Sequence, residues 1–204
     1  ETGILIARDT KGAGVADQVI EYTKVESPRG GHFVGGVFYL VHPPFLSKFQ
    51  DKDGDGKADY NTERTLLVDG LGGGIEHPRG ADHTTNGARM GIDGWLYIAV
   101  GDFGAGLLRD NDGAIGLGDK KRVTLYGGGV MRVRPDGTEL ENYTVMTRNI
   151  CDVAISPTLD LFSRDNTNDG KGWNTRFHHF TSLADAGYPR LYKNFADEGA
   201  HPLA

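Results

Sequence analysis

Gly91-Ile-Asp-Gly-Trp-Leu-Tyr-Ile-Ala-Val100 joins a turn dipeptide, Asp93-Gly94, to an apolar run from Trp95 to Val100. A run this short, bounded by turn residues and rich in aromatic and β-branched side chains, reads as a strand, because a helix needs ten or more residues. The same design recurs in Gly36–Val41, Arg64–Val68, Gly129–Arg134, Asn142–Met146 and Val153–Ser156. Asp136-Gly137 is a second turn dipeptide between two such runs, so hairpins are expected at both places. No segment keeps helical periodicity over three turns, and Tyr188-Pro189 stops any helix near the end.

The runs also repeat. Arg132–Gly137 followed by Glu141–Met146 echoes Lys48–Asp53 followed by Arg64–Val68. His83–Asp102 has the outline of Thr147–Asn166, about 64 residues on: a polar pair, a small-residue strand, a turn, a strand, then Asp or Asn. Several short strands per repeated unit predict propeller blades, with a β-sandwich as the alternative. The expectation is an all-β partial β-propeller, about three blades of a ring. Blade-like units are expected over residues 35–104 and 105–170, with 171–204 as a connecting segment.

Bulk properties bound the function. Glycine is 31 of 204 residues, roughly twice average usage, which fits a chain of many tight turns. The formal charge of −6 argues against nucleic-acid binding, which needs clustered Lys and Arg. No apolar run approaches a membrane span. Cys151 is the single cysteine, so no internal disulfide can form. Asn142-Tyr-Thr144 is a glycosylation sequon, meaningful only for a secreted eukaryotic chain. Both ends look arbitrary, and a piece of a longer protein is expected.

Residues 51–59, Asp-Lys-Asp-Gly-Asp-Gly-Lys-Ala-Asp, carry the sharpest chemical pattern. Asp51, Asp53, Asp55 and Asp59 fall at positions 1, 3, 5 and 9 of a calcium loop, with Gly56 at position 6, where the chain must turn sharply. Position 12, which takes a bidentate Glu in the helix–loop–helix form, is Thr62. The flanks are strand-like, so the loop is expected on a β scaffold; the alternative is an acidic turn that binds nothing. Arg164–Gly170 is a second oxygen-rich run, with a solvated loop as its alternative.

Among the remaining polar residues, Asp82-His83 could form a general base with its tautomer fixed, although neighbours in a strand face opposite ways. Arg148-Asn149 offers a planar fork of donors and a directional amide; taken alone, Arg148 reads as an ordinary surface Arg. His178-His179 lack the spacing of a helical zinc pair, which leaves a structural role. His42 and His77 are expected in loops. Asp102-Phe-Gly104 matches a kinase tripeptide without its companion motifs. Gly70–Gly74 is no dinucleotide fingerprint, because Ile75 takes the last glycine position.

Asp82-His83, Gly91–Gly94 and Leu96–Asp102, taken together, resemble the glucose/sorbosone dehydrogenase family of six-bladed propellers, soluble quinoproteins of which many use pyrroloquinoline quinone (PQQ). Thr147-Arg-Asn149 followed by Val153–Pro157 resembles the family's quinone-contacting segment. Phe162–Asp169 stands where the family places the loop whose carbonyls hold calcium. The stretch Leu46–Gly72 looks closest to the large membrane-bound dehydrogenase branch of planctomycete-type bacteria, often joined to a c-type haem domain. No Cys-x-x-Cys-His occurs in this chain. The sequence departs from the family in having its glycine after the His one place late, at Gly87, and Ile150 where a proline follows Arg-Asn.

The resemblance implies oxidation of a sugar or an alcohol by hydride transfer to PQQ. His83 would be the base, with Asp82 orienting it or touching the cofactor. Arg148 and Asn149 would contact the quinone, and calcium near Asp165 and Asn166 would act as Lewis acid. Electrons would leave to an external acceptor, such as a haem domain outside this chain, in a periplasmic or extracytoplasmic setting. The alternative is a calcium-stabilised propeller that has lost catalysis and binds glycans or proteins.

Overall fold

The computed structural model describes residues 3–72, 83–106, 114–116, 122–168 and 173–188. Among them every regular element is a strand. β1 (Gly3–Arg8) and β2 (Gln18–Lys24) form a two-stranded antiparallel hairpin. Its Ile4 and Ile6 turn inward with Tyr22 and Val25 against Leu40 and Phe49, while Leu5 and Val19 face out.

The next sheet is an antiparallel meander of β3 (Gly31–Val34), β4 (Val37–His42), β5 (Phe45–Phe49) and β6 (Arg64–Asp69). The chain then starts another meander with β7 (Thr85–Met90) and β8 (Leu96–Val100). It returns to extend the first meander beyond β6 with β9 (Ala114–Gly116) and β10 (Arg122–Val123). The second meander is completed by β11 (Gly128–Val133) and β12 (Glu141–Thr147). A third sheet follows. β13 (Asn149–Ile150) and β14 (Ala154–Ile155) both pair with β15 (Leu161–Asn168), which pairs along its length with β16 (Trp173–Phe180). β17 (Ala184–Asp185) lies parallel to β12 at the edge of the second meander.

The reason β8 is apolar without alternation is now visible. Successive strand residues face opposite ways. Leu96, Ile98 and Val100 pack with Val41, Leu46, Leu67 and Val68 of the first meander. Tyr97 and Ala99 pack with Ile150, Val153 and Leu161 of the third sheet. The middle sheet is therefore buried on both faces, and each such side chain contributes roughly 1.5–3 kcal/mol on burial. Consecutive antiparallel meanders stacked face to face are propeller blades. The fold is all-β, a partial β-propeller.

The expected strands and both Asp-Gly hairpins are present: Asp93-Gly94 joins β7 to β8, and Asp136-Gly137 joins β11 to β12. The echoes fall on equivalent strands. β5 and β11 are third strands of their meanders, β6 and β12 fourth strands, and His83 and Thr147–Arg148 each lie at the entry to the first strand of a sheet. The unit boundaries differ from expectation. A unit over 35–104 cuts across two sheets, because β3 begins at Gly31 and the second meander already begins at Thr85. Residues 173–180 are not connecting chain but the strand β16. His42 is not a loop residue either: it ends β4 at 3% exposure. His77 lies outside the described residues.

Candidate active site

The site grows from the entry to β7. His83 has a positive φ of 55°, a conformation that costs a non-glycine residue energy and that clusters at functional sites. Two backbone bonds hold it there: Gly101 N–H donates to Thr84 O at 2.6 Å, and Phe103 N–H donates to His83 O at 3.2 Å. The turn after β8 thus clasps the His83 segment. The approach is so close that a Cβ on Gly101 would overlap both the His83 carbonyl and Asn149 Oδ1. Only glycine fits that crossing.

The same turn delivers Asp102. Its carboxylate is fully buried and meets His83 Nδ1 at 2.6 Å. The Phe103 ring lies 5.6 Å from the imidazole, tilted by 32°. On the other side, Arg148 Nη2 stands 3.4 Å from His83 Nε2. A guanidinium can only donate. His83 Nε2 is therefore the lone-pair nitrogen, and Nδ1 carries the proton that Asp102 accepts. That tautomer is assigned from its partners.

Arg148 is no surface arginine: it is completely buried. Its Nη1 donates to Asn166 Oδ1 at 2.8 Å and to Asn166 O at 3.2 Å. Asp165, 1% exposed, grips the backbone below. Its Oδ2 accepts from Arg148 N at 2.9 Å, and its Oδ1 accepts from Asn149 N at 2.7 Å. Asn149 Oδ1 in turn accepts from Asn86 Nδ2 at 3.1 Å, and the same Nδ2 donates to Ile150 O at 2.8 Å. The first strand of one sheet is thereby tied to the first strand of the next.

Of the residues picked out in the sequence, His83, Arg148 and Asn149 converge, and Asp165 and Asn166 lie directly behind them. Asp82 lies outside the described residues; the carboxylate on the His83 ring is Asp102, nineteen positions along the chain. Asp102 was the residue to find, and its place at the end of the β8 run, level with His83 across the hairpin, was the available signal. Calcium does not fit Asp165 and Asn166 as they stand. Their oxygens face the Arg148 backbone and guanidinium, and a second cation on the same atoms would be repelled. The side chains of residues 167–168, and residues 169–172 with Asp169, lie outside the described set. His178 sits 3.5 Å from Asp165 and stacks on Phe180; His179 pairs with Asp160 at 3.0 Å. Both are structural contacts.

The Asp51–Asp59 loop lies apart from this centre. Carboxylate oxygens of Asp51, Asp53 and Glu63 come within 4.8 Å of one another. Asp55 and Asp59 are not in that group; their oxygens accept the N–H groups of Lys57, and of Asn61 and Thr62. Glu63, one place beyond position 12, was missed because the register of the helix–loop–helix loop was assumed. No described helix is long and apolar enough to cross a membrane.

The family model described as "Domain of unknown function (DUF7133)" matches residues 2–200. Among solved structures, the chain is similar to a protein from Thermus thermophilus, provisionally described as an oxidoreductase (glucose dehydrogenase). Identity is 17%, over 86% of this chain and 68% of that one, with a TM-score of 0.45. It is also similar to the PQQ-bound aldose sugar dehydrogenase of Streptomyces coelicolor, at 16% identity over 98% of this chain and 70% of that one, TM-score 0.39. A third similar structure is provisionally described as a gluconolactonase, at 14% identity over 78% and 67% of the two chains, TM-score 0.32. No curated protein matches.

Proposed function

The chain belongs to the DUF7133 family, and we propose that it oxidises a hydroxyl group of a sugar or alcohol, with His83 as general base and a quinone such as PQQ as hydride acceptor. The observation that carries this reading is the Asp102–His83–Arg148 line, at 2.6 and 3.4 Å. Asp102 holds the imidazole in the tautomer whose Nε2 can take a proton, and it stabilises the imidazolium that forms. His83 Nε2 would take the hydroxyl proton, and a bound quinone would supply the acceptor for the hydride.

The donor set suits a quinone on chemical grounds. A bound quinone supplies an electron-poor carbonyl that gathers negative charge as it accepts the hydride. Arg148 would meet that charge from a fully buried position, where a guanidinium acts far more strongly than in water. Asn149, fixed by Asn86, adds a directional polar group. Phe103 covers one flank of the imidazole. Asp165 and Asn166 act through Arg148 and are positioning residues.

The test is reconstitution. The protein, supplied with PQQ, should reduce an artificial electron acceptor with at least one member of a sugar panel. His83→Ala should lower kcat by about 10²–10⁴-fold while circular dichroism stays that of a β protein. Turnover unchanged in that variant would remove His83 from the chemistry. Quinone binding without turnover across the panel would favour a scaffold that has lost catalysis.

A further inference from the structure

We propose that the loop Asp51–Glu63 is a calcium site whose ligands are Asp51, Asp53 and Glu63, separate from the His83 centre and independent of its chemistry. Local turns build it. Gly54 and Gly56, both at positive φ, let the chain fold over Asp51, whose two oxygens accept their N–H groups at 2.6 and 2.9 Å. Glu63 N–H donates to Asp59 O at 2.9 Å. That single helical turn swings the Glu63 carboxylate back to the start of the loop, where it accepts from Lys52 N at 2.6 Å and Asp59 N at 2.9 Å. One N–H per oxygen leaves a lone pair on each for a cation.

Three features point to a bound ion. The first is crowded like charge: three carboxylates share a 4.8 Å space and Glu63 is 8% exposed, so their mutual repulsion favours a cation among them. The second is Thr23 of β2. It is 4% exposed, its hydroxyl has no hydrogen-bond partner, and it lines the same cavity as Asp53 and Glu63. The third is that cavity, about 450 Å³ and half open to solvent, between β2 and the loop. The Ala58 N–H bond to Tyr22 O, 2.7 Å, locks its two walls together.

The donors are all oxygen, and three of them are carboxylates, which selects a hard cation over zinc or copper. The irregular set and the room for waters suit calcium, which takes six to eight oxygens, better than octahedral magnesium.

Terbium(III) luminescence excited through Tyr22 and Tyr60 should rise to saturation in the full chain and be displaced by calcium. Calcium should raise Tm, and EGTA should reverse the rise. Glu63→Gln and Asp51→Asn should each weaken calcium binding by at least about tenfold, because ligand charge sets affinity. Thr23→Val should weaken it severalfold, and Asp55→Asn should leave it unchanged. Should Glu63→Gln misfold, Asp53→Asn, at an exposed position, serves in its place. The absence of saturable calcium binding, or undiminished binding in the Glu63 or Asp53 variant, overturns the site. Neither result bears on PQQ turnover, so this site and the dehydrogenase reading fail separately.

Discussion

His42 shows what one side chain can impose. It is buried at the end of β4 among Phe45, Phe49 and Tyr60, with Nε2 2.9 Å from Ser47 Oγ. Arg64 Nε donates to that same hydroxyl at 2.9 Å, so the serine proton is free to point at His42. Burial, and then the Arg64 charge, lowers the His42 pKa from 6.5 to about 4. The folded state resists a proton that the unfolded chain accepts. Stability from this group is full above pH 6.5 and is lost as pH falls towards 4. The loss is about 3 kcal/mol, from the 1.36 kcal/mol carried by each pKa unit. Urea titrations between pH 7 and 4 should show that decline, and His42→Gln should flatten it; an equal slope in the variant would place its cause elsewhere. The sequence singled out His83 and Arg148 through their order and spacing in the family resemblance; taken alone, Arg148 read as a surface arginine. The sequence did not disclose Asp102, since pairing across nineteen residues depends on the turn that carries Phe103 back over His83.

At the level of elements, legibility followed burial. β4, β6, β8, β11 and β12 were readable because sheets press on them and demand apolar runs. β15 and β16 were not. Leu161–Asn168 and Trp173–Phe180 are rich in Arg, Asp, Asn and His, and such composition reads as loop; what makes them strands is their mutual register from Leu161↔Phe180 to Asn168↔Trp173. The polar side chains are used within the fold. Asp165, facing β13 from β15, closes the two consecutive N–H groups of Arg148 and Asn149. Asp165→Ala would leave both buried donors unsatisfied, at about 1–3 kcal/mol each. The expected loss is about 3 kcal/mol in urea unfolding, with hydrogen exchange at the Arg148 and Asn149 amides accelerated. Asp165→Asn, which keeps one acceptor oxygen, should fall between. Amide protection unchanged in the alanine variant would mean that the carboxylate does not hold this turn.

Beside the β1–β2 hairpin, the described residues form three larger sheets, and Arg89 joins all three. It sits on β7, its Nη1 donates to Gly31 O of β3 at 3.0 Å, and its Nη2 pairs with Asp152 ahead of β14. The neighbouring Met90 N–H donates to His32 Nδ1 at 3.1 Å, a second tie from β7 to β3. Gly87 makes the approach possible, since a Cβ there would strike the Asp152 carboxylate and the Cys151 carbonyl; the glycine displaced by one place is thus explained by contact between sheets. Arg89 and Asp152 are 42% and 40% exposed and border an open cleft of about 700 Å³, so solvent screens their attraction. The pair is worth less than about 1 kcal/mol, with the carbonyl bond adding a similar amount. Arg89→Ala should therefore lower Tm by about 2–4 °C, the shift that roughly 1 kcal/mol gives a chain of this size. A double-mutant cycle with Asp152→Ala should return a coupling of about 0.5 kcal/mol that shrinks in high salt, while the share owed to Gly31 O persists. If the two substitutions add without coupling, Arg89 holds β3 alone, and the third sheet is kept in place by the apolar contacts of Tyr97, Ala99 and Val130.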